Sequence, residues 1–544
     1  MQTRDGVRLD ADVYTPKPAV VGEGPWPVLM MRQPYGRAIA STIVYAHPSW
    51  YAERGYLVVI QDVRGRGTSE GEFDLFAHEV LDGVDAVRWA AQLPNSSGQV
   101  GMYGFSYQGM TQLQAAEGCA RESVDSLSVI APAMTGYHLY EDWAYENGAL
   151  CFQLGLVWAI QLAAETARRK EDVETYQKLL TAARNLPLRD ALPLQPNVLA
   201  KTDTFFHEWV ANDKGGDYWQ RLTPDLTNVD IPMLHIGGWF DPYLRGDMRR
   251  YEEMSARSQY LQPLCVGPWA HIPWGRKVGS VDFGAAAMSL VDQLQVEWFD
   301  YVLKGSDWMR ASVQLFEMGQ NVWRSFDAWP QSAEKTYFLW SDGLTNIRAD
   351  SGLLTFSPSE SKRVDTLVHD PWNPTPAVGG HSAIPSGSFE RTAVDSRGDV
   401  LTYTSEPMEE ALRVAGVVRL ECAIAATVFS YDLCAVLSRV EGSQAARAYN
   451  LTQGYCRVER THEDPANPRA LTLSLHPTCF SLAAGECLRL SLSAACFPAY
   501  PVNTGTSLHP SKAQGIAAQI VTLTFDLGGS DGAKIVLPTV ADWE

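Results

Sequence analysis

Over the first 133 residues, short apolar runs alternate with segments of helical periodicity. VLMM (28–31), LVVI (57–60), QVGMYG (99–104) and LSVIAP (127–132) read as buried strands. Between the second and third, EVLDGVDAVRWAAQL (79–93) sets Val80, Val84, Val87 and Ala91 at helical spacing, and Pro94 closes the run. This alternation predicts an α/β unit built on a mostly parallel sheet covered on both faces.

From 134 to 225 the pattern changes, with long stretches of helix formers such as LCFQLGLVWAIQLAAETARRKEDVETYQKLLTAAR and no strand signal. Strand-like runs return at IPMLHIGGW (231–239) and LQPLCVGPW (261–269), and a last helix is expected over 287–305. The segment between is therefore expected to be a helical cap inserted into the α/β unit. Beyond 311 the period falls to two in VRLECAI (418–424), LTLSL (471–475), CLRLSLS (487–493) and VTLTFDL (521–527), separated by Gly- and Pro-rich stretches, which predicts an all-β sandwich. The expected division is 1–133 with 226–310 as the α/β domain, 134–225 as the cap and 311–544 as the β domain.

The 544 residues carry 44 basic and 63 acidic side chains, a net charge of −19 that repels phosphate backbones and anionic membranes and argues against both as partners. No stretch approaches a membrane span, and the N-terminus lacks the apolar core of a signal peptide. Nine cysteines with no C-x-x-C pair read as reduced thiols in a cytoplasmic protein. Six of them lie in the last quarter, which leaves secretion open. A homo-oligomer is left open too.

In an open parallel sheet, reactive groups gather at the carboxyl ends of strands. Ser106, in GMYGFSYQGM (101–110), follows one predicted strand and opens a predicted helix, the setting of a strained nucleophile turn. The spacing departs from G-x-S-x-G, because the second glycine is Gly109. Asp241 follows the strand ending in GGWF, and His271 follows the strand ending in GPWA, so the order serine, acid, histidine is the one such sheets use. Asp62 precedes the serine and is read as ordering the loop RGRGTSEG; His235 lies within a strand and is read as a core histidine. The other nine histidines have no such placement, and none forms a metal motif, so no metal is expected, and acyl transfer through a serine needs no organic cofactor. For an oxyanion, one donor would be the Tyr107 N–H; a second would come from RQPYG (32–36), where Tyr35 either offers its hydroxyl or packs on a turn.

These residues resemble the cocaine esterase-like hydrolases, the CocE/NonD group, which is similar to the X-prolyl dipeptidyl peptidases and the α-amino acid ester hydrolases. The resemblance runs from TRDGVRLDADVYTP through RQPYG, DVRGRGTSEG, GFSYQG, GGWFD and GPWAH to FPAYPVNTG. It implies an α/β-hydrolase domain, a helical cap and a C-terminal jelly roll, with G-x-S-Y-x-G as the family's own form of the serine turn. It further implies that Ser106 is the nucleophile, His271 the base, Asp241 its orienting acid, and the Tyr35 hydroxyl with the Tyr107 N–H the oxyanion hole.

The expected activity is hydrolysis of a small-molecule ester, or an amide, with a bulky or aromatic acyl group. An X-prolyl dipeptidyl aminopeptidase or α-amino acid ester hydrolase is the alternative, and a catalytically silent binding protein on the same scaffold is the alternative of another class. In the ester hydrolases for α-amino acids, two members of an ammonium-binding carboxylate cluster fall where this chain has Tyr243 and Leu244, and only Glu141 or Asp142 in the cap matches the third. That weakens the amino-acyl alternative. Trp143 and Trp158 fall where the cocaine esterase branch holds an aromatic acyl group, and Tyr243 where it has a phenylalanine, although tryptophans of an amphipathic cap are also ordinary core residues.

Overall fold

The computed structural model describes the chain except residues 39–41, 189–193, 195, 349, 362, 442–446, 461–463, 510–511 and 542–544. The first sheet has nine strands: β1 (Ala11–Tyr14), β2 (Trp26–Gln33), β3 (Leu57–Asp62), β4 (Ser96–Phe105), β5 (Leu127–Ala133), β6 (His235–Phe240), β7 (Leu264–Ala270), β8 (Val313–Glu317) and β9 (Val322–Phe326). Their order is β1-β3-β2-β4-β5-β6-β7-β8-β9, parallel except for the two edge strands β1 and β9. The principal helices of this half are α1 (Glu79–Ala91), α2 (Tyr107–Arg121), α3 (Phe152–Arg169), α4 (Val173–Arg184), α5 (Leu244–Arg257) and α6 (Val291–Lys304).

Both faces of the sheet are buried, which is why its central strands read as continuous apolar runs rather than as alternation. Val28, Met30, Val59, Val100 and Met102 share one core with α1 and α2; Leu29, Met31, Val58 and Ile60 point the other way into a core with Leu294, Trp298 and Phe299 of α6. Helices α3 and α4 belong to the segment between β5 and β6, as the helical pattern predicts. That segment also holds two paired two-residue strands, Tyr145–Glu146 and Ala149–Leu150, which the sequence pattern does not show.

The described residues of the C-terminal region form a second sheet system of 13 strands, matching the period-two segments. Its core is continuous with α5 and the β6–β8 end of the first sheet through Trp239, Leu244, Met248, Val266 and Phe316. Strands β8 and β9 lie beyond residue 311 yet join the first sheet, β8 pairing in parallel with β7. Sheet pairing and the expected 310/311 division thus differ by these two strands. Both strands are only five residues long, so their short patterns do not distinguish the two sheets.

Candidate functional site

Strand β4 ends in a sharp turn at Ser106, whose backbone is forced to φ 60°, ψ −126°, an uncommon conformation for a residue with a side chain. The flanking glycines explain the spacing of the motif. At Gly104, φ is 138° and a Cβ would come within 2.5 Å of the Gln108 Cβ; at Gly109, a Cβ would meet the Thr135 Cβ at 2.7 Å. The second glycine sits where α2 passes the chain leaving β5, one residue later than the simpler motif requires. The Ser106 N–H is held by the Ala133 carbonyl at 3.0 Å, and the Gln108 side chain accepts from the Phe105 N–H at 3.2 Å.

Asp241 and His271 follow the ends of β6 and β7, neighbours in the sheet, and the chain order brings them together. The His271 Nδ1 lies 2.5 Å from Asp241 Oδ2, and the Tyr243 N–H donates to the other carboxylate oxygen at 2.8 Å. With an ionised carboxylate on Nδ1, the proton sits there and Nε2 is left as an acceptor. Asp241 is fully buried, whereas the His271 side chain is 23% exposed. Ser106 and His271 line one cavity of about 750 Å³, together with Tyr35, Trp158, Tyr243 and, from the β domain, His381.

The Tyr107 side chain points away from this cavity, donating to Glu79 Oε1 at 2.8 Å and stacking 4.4 Å from Phe76. As the first residue of α2, its N–H has no acceptor within the helix. Tyr35 does more than pack on a turn: its hydroxyl accepts from Trp158 Nε1 at 3.1 Å, leaving its own proton to donate. Burial raises the Tyr35 pKa further above its ordinary value, so the group stays a phenol. Trp158 and Tyr243 face the cavity, but Trp143 does not; it is buried behind them, 5.5 Å from the Trp158 ring and 4.3 Å from Tyr243. Glu141 and Asp142 are spent on Arg249, at 2.7 and 3.2 Å.

His235 is a buried histidine between Gln262 and Arg250, held neutral by burial and by that arginine. Asp62 touches the glycine-rich loop as expected, through its carbonyl and Ser69, but its carboxylate mainly holds Arg37 at 2.7 Å, a partner that nothing in the local pattern signals. Two of the histidines without a sheet-end position also reach the site. His476 Nε2 donates to the Asp241 carbonyl at 2.9 Å, and His381 stacks on His476 with ring centroids 4.0 Å apart. No spacing rule could have found them, since His476 is 235 residues from Asp241 and His381 is 95 from His476. Among the described residues, no group of three or more His, Cys, Asp or Glu side chains is arranged to hold a metal, and no helix is long and apolar enough to cross a membrane. All nine cysteines are free thiols.

Residues 5–273 match the X-Pro dipeptidyl-peptidase (S15 family) model, and 307–526 match the X-Pro dipeptidyl-peptidase C-terminal non-catalytic domain. The cocaine esterase of Rhodococcus sp. is 28% identical over 99% of this chain and 97% of its own. The chain is a serine hydrolase that carries both X-Pro dipeptidyl-peptidase domains and is similar over its whole length to the cocaine esterase-like (CocE/NonD) group. Its fold is shared with solved structures: an aminopeptidase from a marine sediment Thaumarchaeota archaeon aligns with a TM-score of 0.82 at 20% identity, over 99% of this chain and 95% of that one. An α-amino acid ester hydrolase aligns at 0.79 and 21% identity, with the same coverage. The chain's architecture is thus an α/β-hydrolase domain carrying a C-terminal all-β domain.

Proposed function

We propose that this serine hydrolase cleaves a small-molecule carboxylic ester with a bulky or aromatic acyl group through Ser106, His271 and Asp241. The observation that carries the reading is the 2.5 Å contact of His271 Nδ1 with Asp241, in a cavity that His271 shares with the strained Ser106 turn. Ser106 Oγ attacks the acyl carbon while its proton passes to His271 Nε2; Asp241 steadies the imidazolium that results. The negative charge on the former carbonyl oxygen is met by the Tyr107 N–H and the Tyr35 hydroxyl. The tetrahedral intermediate collapses with the proton going to the leaving alkoxide, and water then repeats the sequence on the acyl-enzyme to release the acid and restore the Ser106 hydroxyl.

Trp158 and Tyr243 supply flat apolar walls for the acyl group, with Trp143 as a second layer that stiffens them. An ammonium site is disfavoured, because Glu141 and Asp142 are paired with Arg249 rather than turned to the cavity. Initial rates on p-nitrophenyl acetate, butyrate and benzoate beside an amino-acid p-nitroanilide test the reading, with wild type, Ser106→Ala and Trp158→Ala compared. Benzoate turnover lost in Ser106→Ala and strongly reduced in Trp158→Ala is the expected result. Equal rates in wild type and Ser106→Ala would overturn the nucleophile; turnover confined to the anilide would move the enzyme to the aminopeptidases.

A further inference from the structure

A second cavity, of about 740 Å³, lies between the loop 65–75, helix α3 and residues 203–221. Phe205 lines it, and the Phe205 ring packs 4.8 Å from Trp158, which lines the cavity of Ser106. One aromatic layer therefore separates the two. The acidic side chains on its lining, Glu72, Asp74, Asp203 and Glu208, are exposed and solvated, so their field on the interior is screened. The deepest charge is Arg66, only 2% exposed.

Arg66 differs from the two other arginines buried as deeply. Arg32 is paired with Glu79 at 2.8 Å and Arg250 with Asp247 at 2.7 Å. Arg66 has no carboxylate partner among the described residues. One of its terminal nitrogens donates to the Leu162 carbonyl and Thr166 Oγ1, both at 3.1 Å, its guanidinium lies 3.8 Å over the Phe73 ring, and its buried Nε has no hydrogen-bond partner among the described residues. Burial lowers its pKa to about 10, which leaves it charged at neutral pH. Arg169, on the same lining, spends its guanidinium on the Gly67 and Ser69 carbonyls and likewise lacks an acidic partner among the described residues. A desolvated cation without a counter-charge is costly, and a guanidinium fork fits a planar or tetrahedral oxyanion.

We propose that this second cavity is a binding site for an organic oxyanion, a carboxylate or a phosphate, whose charged group pairs with Arg66 and whose apolar part lies against Phe73 and Phe205. The volume is several times that of an inorganic ion, and the aromatic walls call for a carbon skeleton. The site stands apart from the chemistry assigned to Ser106, and neither reading depends on the other.

Thermal unfolding in the presence of 4-bromobenzoate or 4-bromophenyl phosphate, with wild type and Arg66→Met, tests it, together with bromine anomalous scattering from wild-type crystals soaked in each. The expected result is a rise in Tm with one of the anions, an affinity at least about tenfold weaker in Arg66→Met, and bromine beside Phe73 and Phe205. Arg66→Met without anion should melt no lower than wild type, since it removes an uncompensated charge. The anion that acts decides between carboxylate and phosphate. Equal affinity in the two proteins, bromine only in the Ser106 cavity, or no response to either anion would overturn the proposal and leave Arg66 as a strut between the loop and α3. Should Arg66→Met not fold, the wild-type anomalous map decides alone.

Discussion

Two histidine–carboxylate pairs of similar geometry stand near the same cavity, and their surroundings give them different work. His271 meets Asp241 at 2.5 Å and His381 meets Glu146 at 2.8 Å. Both carboxylates are buried. Asp241 has only His271 and the Tyr243 N–H as carboxylate partners among the described residues, so its charge is available to an imidazole that takes up a proton. Glu146 also receives Arg245 at 2.7 Å, the Tyr500 hydroxyl at 2.5 Å and the Tyr455 N–H at 3.2 Å. Burial by itself would raise the Glu146 pKa, but Arg245 and His381 together hold it well below the ordinary carboxylate range. A carboxylate saturated in this way is a clamp. It joins the cap, helix α5 and the β domain, whereas the Asp241 pair joins two adjacent strand ends.

The comparison is broken most directly by exchanging each carboxylate for its amide. Asp241→Asn should lower kcat by about 10³- to 10⁴-fold while leaving Tm near that of wild type, because the amide keeps the shape but cannot stabilise the imidazolium. Glu146→Gln should do the reverse, costing about 3–5 kcal/mol of stability by leaving Arg245 uncompensated, with kcat within tenfold of wild type. Measured kcat and unfolding midpoints that fell together in both variants would show that the two pairs are not functionally distinct.

A smaller effect joins the two. His476, stacked on His381, donates to the Asp241 carbonyl, so His476→Leu should reduce kcat about tenfold with KM little changed, and His476→Gln, which can still donate, should recover most of it. A change confined to KM, or no rescue by glutamine, would remove His476 from the positioning of Asp241.

The smallest effect is read from pH. An unfolded glutamate titrates near 4.5 and folded Glu146 lower, so between those values the unfolded chain holds a proton that the folded chain does not. Stability from this group is complete above about 4.5 and is lost as pH falls through the lower, folded value. The acid limb of Tm against pH should therefore be flatter in Glu146→Gln; an identical limb would show that the clamp does not depend on its charge.

The parallel strands, the flanking helices and the triad candidates were all legible, because each strand is buried on both faces and each candidate side chain sits where its own strand ends. The spacing of Gly104 and Gly109 around Ser106 was visible as a motif, though its cause, the passage of α2 against Thr135, was not. Trp143 shows the limit on the cap side: its position in the chain matches an acyl-binding tryptophan, yet helical packing turns it behind Trp158. The same limit hides β8 and β9, whose short patterns carry no mark of which sheet they join.

Local patterning by itself determined the two kinds of sheet, the helical insertion into the first of them and the order in which Ser106, Asp241 and His271 reach one edge, since periodicity and strand ends are properties of neighbouring residues. Only the tertiary structure decided that His476 holds the Asp241 backbone, that Glu146 is a clamp, and that Arg66 lies buried without a carboxylate partner among the described residues. Those features are set by which distant segments share a desolvated space, and the strength of a charge or a hydrogen bond follows from that space rather than from the residue's place in the chain.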